Sequence, residues 1–164
     1  MSRKKIQNVI LGIITIAIIG LVITFYYTAE QTRIKGFSFG NNLQAIQEDL
    51  KKIQTDFQSE TIVLEEGDIS KDEFLKYSEA HISKMEELVS RYDALDPPEI
   101  FSSSVKLFKL STQSQLESEK EIIRWIQSGD IDAKIRADSL MEESFGYEMA
   151  ALAKFNDAKA GIDQ

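Results

Sequence analysis

Between residues 43 and 57 the apolar side chains fall at Leu43, Ile46, Leu50, Ile53 and Phe57, a spacing of 3, 4, 3 and 4. That repeat gathers them on one stripe of a helix and leaves the intervening polar residues on its other faces. Strand-like alternation of apolar and polar residues does not compete with it anywhere in the chain. Three further segments keep the helical period. Ser70, followed three residues later by Glu73, has the form of a capping box, and Phe74, Ser78, Ile82, Met85, Val89 and Tyr92 continue on one face. Pro97 and Pro98 stop this second helix, and Pro98 with Glu99 opens a third. Its inward line reads Phe101, Val105, Phe108, Thr112, Leu116, Glu119, Ile123 and Ile126. After Ser128-Gly129-Asp130 a fourth helix carries Ile131, Ile135, Leu140 or Met141, Phe145, Met149, Leu152 and Phe155, ending near Gly161. The turns Glu66-Gly67-Asp68-Ile69 and Ser128-Gly129-Asp130-Ile131 repeat at an offset of 62, at which Leu43 matches Val105 and Ile46 matches Phe108. The expected fold is therefore all-α: two similar hairpins making an up-down-up-down four-helix bundle over residues 43–164.

Ahead of the bundle, Val9 to Tyr27 is a run of 19 residues without a charge, preceded by Arg3, Lys4 and Lys5. At about 1.5 Å of rise per residue it matches the roughly 30 Å hydrocarbon layer of a bilayer. A cleaved secretory signal has a shorter apolar region, about 7–15 residues, followed by small residues. This chain has Phe25, Tyr26 and Tyr27 there instead, which suit the headgroup level of the far interface, while the three cations hold the near end in the cytoplasm. The expected organisation is a cytoplasmic basic tail at 1–5, an N-terminal transmembrane anchor at 6–27, a linker at 28–42, and an extracytoplasmic bundle at 43–164. Within the linker Gly36, Gly40, Asn41 and Asn42 interrupt any helix that leaves the bilayer. The expected localisation is the cell membrane, crossed once.

Those three cations are the only charges before Glu30, so a net charge of −8 leaves −11 on the rest of the chain. An acidic surface of that kind argues against a nucleic-acid partner. Because the chain contains no cysteine, disulfides, thiolate metal sites, lipid acylation at cysteine and covalently attached haem are all excluded. A di-metal carboxylate site in a bundle needs Glu-x-x-His on two helices, and the single histidine, His81, has Ser78 at that spacing. No Gly-x-Ser-x-Gly surrounds any serine, and carboxylate pairs such as Glu142-Glu143 have no apolar pocket implied around them. Catalytic residues, a metal site and a cofactor are accordingly not expected. His81 reads as a polar or boundary residue and Trp125 as a lid on the core.

The third helix has a polar middle, Ser111-Thr112-Gln113-Ser114-Gln115, with Glu119 one turn later. Either heptad phase brings Thr112 near the core, and Glu119 follows it inward. Thr112, Gln115 and Glu119 are thus the candidate residues of a polar layer that binds a small ligand or specifies register or a partner. The alternative is a local rotation of the helix that shows these groups to water. If the layer is inward, Thr112→Val and Glu119→Leu should raise the melting temperature while binding falls.

The apolar stretch Ile16-Ala17-Ile18-Ile19-Gly20 resembles the stalk of a type IV pilin. A single uncleaved span followed by a helical bundle resembles the extracytoplasmic sensory modules of bacterial and archaeal receptors. Leu95-Asp96-Pro97-Pro98-Glu99-Ile100 is similar to the Leu-x-Pro-Pro link of small surface-anchored helical proteins of unassigned role. These resemblances imply a membrane-tethered, non-enzymatic interaction module, either an accessory subunit of a membrane complex or a surface binding protein. They imply as alternatives an extracytoplasmic ligand sensor or a pilin-like filament subunit. The expected partners are the lipid bilayer and a membrane protein or further copies of this chain.

Overall fold

The computed structural model describes residues 30–162, with side chains from 38 to 160. Among the described residues every regular element is helical: α1 (Glu30–Glu66), α2 (Lys71–Asp93), a 3₁₀ turn (Glu99–Phe101), α3 (Ser102–Ser128) and α4 (Ile131–Ile162). Each helix packs on the next, α3 most extensively on α4. Cross-helix pairs fix the directions. Gln47 meets Tyr92 while Phe57 meets Phe74, so α1 and α2 run antiparallel. Tyr92 meets Thr112 while His81 meets Glu119, which reverses α3 against α2. Ser111 meets Ser144 while Ser118 meets Ala137, which reverses α4 in turn. The result is the up-down-up-down order expected from the short links.

The chain reverses where its turn residues dictate. Gly67 and Gly129 adopt φ of +84° and +75°, a left-handed backbone that side chains with a Cβ resist. The Gly129 amide donates to the Trp125 carbonyl at 2.7 Å, closing the end of α3. At the start of α2 the Ser70 hydroxyl accepts from the Glu73 amide and the Glu73 carboxylate accepts from the Ser70 amide, the reciprocal cap expected there. Phe101, fully buried, lies between Phe39 of α1 and Phe155 of α4 at centroid distances of 5.7 and 4.9 Å. From this knot the apolar core continues through Leu43, Ile46, Leu50, Met85, Leu88, Val105, Phe108 and Leu152.

Several expectations change. The linker expected at 28–42 is helical from Glu30 onward, and α1 passes Gly36, Gly40, Asn41 and Asn42 without a break. Burial explains this: Phe39 is as deeply buried as Leu43, and anchoring such side chains outweighs the roughly 1 kcal/mol that each helical glycine costs. On α2 the inward line is Phe74, Ser78, His81, Met85, Leu88 and Tyr92, so His81 and Leu88 replace Ile82 and Val89, which are only partly buried. Trp125, expected to cap the core, is half-buried, with the Lys134 ammonium 5.3 Å from its ring centroid. Among the described residues no helix is long and apolar enough to cross a membrane. The anchor expected at 6–27 lies outside the described residues.

The largest change is on α4. Ile131, Ile135 and Met149, expected inside, are 61, 60 and 58 % exposed, and Ala133, Ala137, Ser144 and Ala151 are buried in their place. The cause lies on α3, which presents Ser104, Ser111 and Ser118 at seven-residue intervals. Ser111 Oγ meets Ser144 Oγ at 3.1 Å, and Ser118 Oγ donates to the Ala137 carbonyl at 2.8 Å. A side chain as short as serine reaches a neighbouring backbone only where the helices approach closely, and small residues on both sides permit that approach. Ala137→Leu should therefore wedge α3 from α4 and destabilise the protein by about 1–3 kcal/mol. Ile135→Ala, on the exposed face, should stay within about 0.5 kcal/mol. Urea unfolding of the two variants compares them directly. Equal midpoints would disprove the close seam.

Candidate functional site

The middle of α3 is gripped on both flanks, by α2 and by α4, and the doubly covered face is wide enough to bury Ser111, Thr112, Ser114, Gln115, Leu116, Ser118 and Glu119 together. The local rotation that would turn the polar residues to water does not occur: Thr112, Gln115 and Glu119 are 1, 5 and 4 % exposed. A polar group removed from water needs a partner, since an unsatisfied one costs about 1–3 kcal/mol. Each of the three finds one: Thr112 and Glu119 on α2, Gln115 on α1.

At the first level, Gln47 Nε2 on α1 donates to the Tyr92 hydroxyl at 2.6 Å, and that hydroxyl meets Thr112 Oγ1 at 3.0 Å. Thr112 also hydrogen-bonds the Phe108 carbonyl one turn back at 3.1 Å. One turn farther, Gln54 Nε2 of α1 donates to Gln115 Oε1, and Gln115 Nε2 donates to Ser111 Oγ, which faces Ser144 of α4. One turn farther again, His81 Nε2 of α2 lies 2.9 Å from Glu119 Oε2. Phe57 stacks on the imidazole at 4.3 Å between centroids, with Tyr77 at 6.1 Å on the same ring. The three residues singled out in the sequence thus occupy successive levels of one band instead of converging on a single pocket. All four helices contribute to it.

Burial sets the electrostatics of the band. Desolvation holds the Glu119 carboxyl above its ordinary range, with the hydrogen bond and charge of His81 pulling the other way. Burial likewise raises the Tyr92 phenol, against hydrogen bonds from Thr112 and Gln47 that lower it. Tyr77 is pushed up to about 12 by burial and by the acids Asp56, Glu60 and Glu119. On α4, Glu148 is pushed up to about 7 by desolvation.

The sequence reading placed His81 at the boundary and did not single out Glu148 or Gln47. For His81 a signal exists: Phe74, Ser78, His81, Met85, Leu88 and Tyr92 step by 4, 3, 4, 3, 4, a cleaner heptad than the line through Ile82 and Val89. Glu148 gives no such signal, because a glutamate in a helix is ordinarily a solvated surface residue.

Chemically, the band is made of groups that spend their hydrogen bonds on one another. No group of three histidine or acidic side chains able to hold a metal ion occurs among the described residues. On the outer side of α1 and α2 lies an open groove of about 230 Å³, floored by Ile53 and Leu88 and bordered by the Asp49–Arg91 ion pair. Its edges carry balanced, solvated charge. Compared with protein-family models, curated proteins and solved structures, the chain finds no match.

Proposed function

We propose that the protein is a membrane-tethered module whose bundle lies outside the cytoplasm and works by binding another membrane protein or further copies of itself. The observation that carries this reading is α1. Among the described residues α1 runs from Glu30, the first charged residue after Lys5, unbroken into the core at Phe39 and Leu43. An anchor at 6–27 would then meet the bundle through one stiff element, the arrangement suited to a subunit held at a fixed attitude over the bilayer. The acidic exterior favours protein partners over nucleic acid.

The topology is tested by adding protease to intact cells. The bundle should be degraded there, and a protected bundle that is cut only after lysis would overturn the reading. Purification in mild detergent should bring down a stoichiometric membrane protein or a homo-oligomer.

A second reading, an extracytoplasmic sensor, is favoured by the band itself, because interhelical hydrogen bonds in a core have alternative pairings that apolar contacts lack. A small molecule retained by the purified protein, with no protein partner, would favour the sensor.

A further inference from the structure

Glu148 lies on the inward side of α4 and is 7 % exposed. Glu119, the other deeply buried acid, has His81. Among the described residues no hydrogen bond or ion pair reaches the Glu148 carboxyl group. Among the described residues every side-chain oxygen or nitrogen sealed from solvent has a partner, so the Glu148 oxygens, having none, keep a narrow exit to solvent. Tyr92 of α2 is near enough for the Glu148 charge to raise its pKa, yet its hydroxyl is already engaged by Gln47 and Thr112. A carboxyl in this position either takes up a proton or, when ionised, lacks a cationic partner among the described side chains, which leaves room for one from outside.

We propose that Glu148 is the binding residue for the ammonium or guanidinium head of a small organic cation. A metal ion fits poorly, because hard cations need several oxygens and Glu148 brings one carboxylate. A compact N–H donor needs only the two oxygens present. The slight exposure limits the visitor to a slender group. This inference is independent of the membrane topology proposed above.

Proton and ligand then compete for the same oxygens. Among the described side chains no charge contributes to the upward shift of Glu148, which desolvation takes to about 7. The neighbouring Tyr92 stays neutral throughout, and Gln47 of α1 and Thr112 of α3 carry no charge. Binding should therefore strengthen as pH rises through 7.

The test uses the full chain in detergent micelles, with thermal unfolding followed by far-UV circular dichroism. n-Butylammonium and methylguanidinium are compared with sodium at matched ionic strength. Either organic cation should raise the melting temperature at pH 8, its apparent affinity should fall roughly 30-fold at pH 5.5, and Glu148→Gln should abolish the effect. A separate measurement does not depend on that variant folding: the carbon-13 chemical shift of the Glu148 carboxyl should report a lower pKa when the probe is present. No stabilisation by either probe at pH 8, an equal effect in Glu148→Gln, or an unmoved carboxyl pKa would each overturn the proposal. A site reserved for a lysine or arginine of another protein would give the first of these results.

Discussion

His81→Leu is expected to destabilise the bundle by about 3–5 kcal/mol at neutral pH, lowering the melting temperature by roughly 10 °C. The substitution leaves Glu119, 4 % exposed, without the group that opposes its desolvation. The loss depends on pH with a defined sign. The folded-state pKa of Glu119 is held above its unfolded value, so the carboxyl is uncharged in both states at low pH, and the penalty grows as pH rises through the unfolded and then the folded value. Acid should thus soften the defect. Glu119→Leu alone should lower stability by about 1–3 kcal/mol, because His81 is then the stranded group. That reverses the stabilisation expected from the sequence, which had no means of seeing His81 opposite. The double variant His81→Leu with Glu119→Leu should recover most of the loss, since both polar groups leave together. Additive losses in the double variant, measured by urea unfolding, would show that the two side chains are not coupled.

Stability should also fall between mildly acidic and neutral pH on account of Glu148. Its carboxyl has an ordinary value near 4.5 and is pushed up to about 7 in the folded protein. Below the lower value both states are protonated. Between the two, the folded state binds the extra proton, so each rise in pH favours unfolding until the curve levels above 7. The span corresponds to about 3 kcal/mol. Glu148→Gln removes the titrating group and keeps its shape, so at pH 8 the variant should be more stable than the wild-type protein by a similar amount, with a flatter pH profile. A Glu148→Gln protein less stable than wild type at pH 8 would mean that the carboxylate has a partner within the fold.

The elements that the sequence specifies by strong local chemistry are those the structure keeps. Leu43, Ile46, Leu50 and Phe57, the Ser70 capping box, the Pro97-Pro98 stop and the two glycine turns act through neighbouring residues, and periodicity registers them. The inward set of α4 depends instead on what faces it. Ala137 and Ser144 are inside because Ser118 and Ser111 lie opposite, and hydrophobicity alone assigns those places to Ile135 and Met149. The polar band was half visible. Thr112, Gln115 and Glu119 stand on the heptad line of α3, whereas their partners Gln47, Gln54, Tyr92 and His81 sit on other helices. The break expected at Gly36–Asn42 failed for a related reason: glycine weakens a helix by an amount that one buried phenylalanine overcomes.

α1 has 37 residues and spans about 55 Å. A rod of that length without a joint behaves as a lever and a torsion bar at once. Twisting its early turns cannot be absorbed before Phe39, because the backbone hydrogen bonds run on without interruption. The torque arrives at Phe39, Leu43 and Ile46 as a unit, and those side chains either keep their sockets against Phe101 and the core or leave them in concert. Gradual displacement is costly in a close-packed interior, so a disturbance of α1 is resisted by the whole row of Phe39, Leu43 and Ile46 together and not by one side chain at a time.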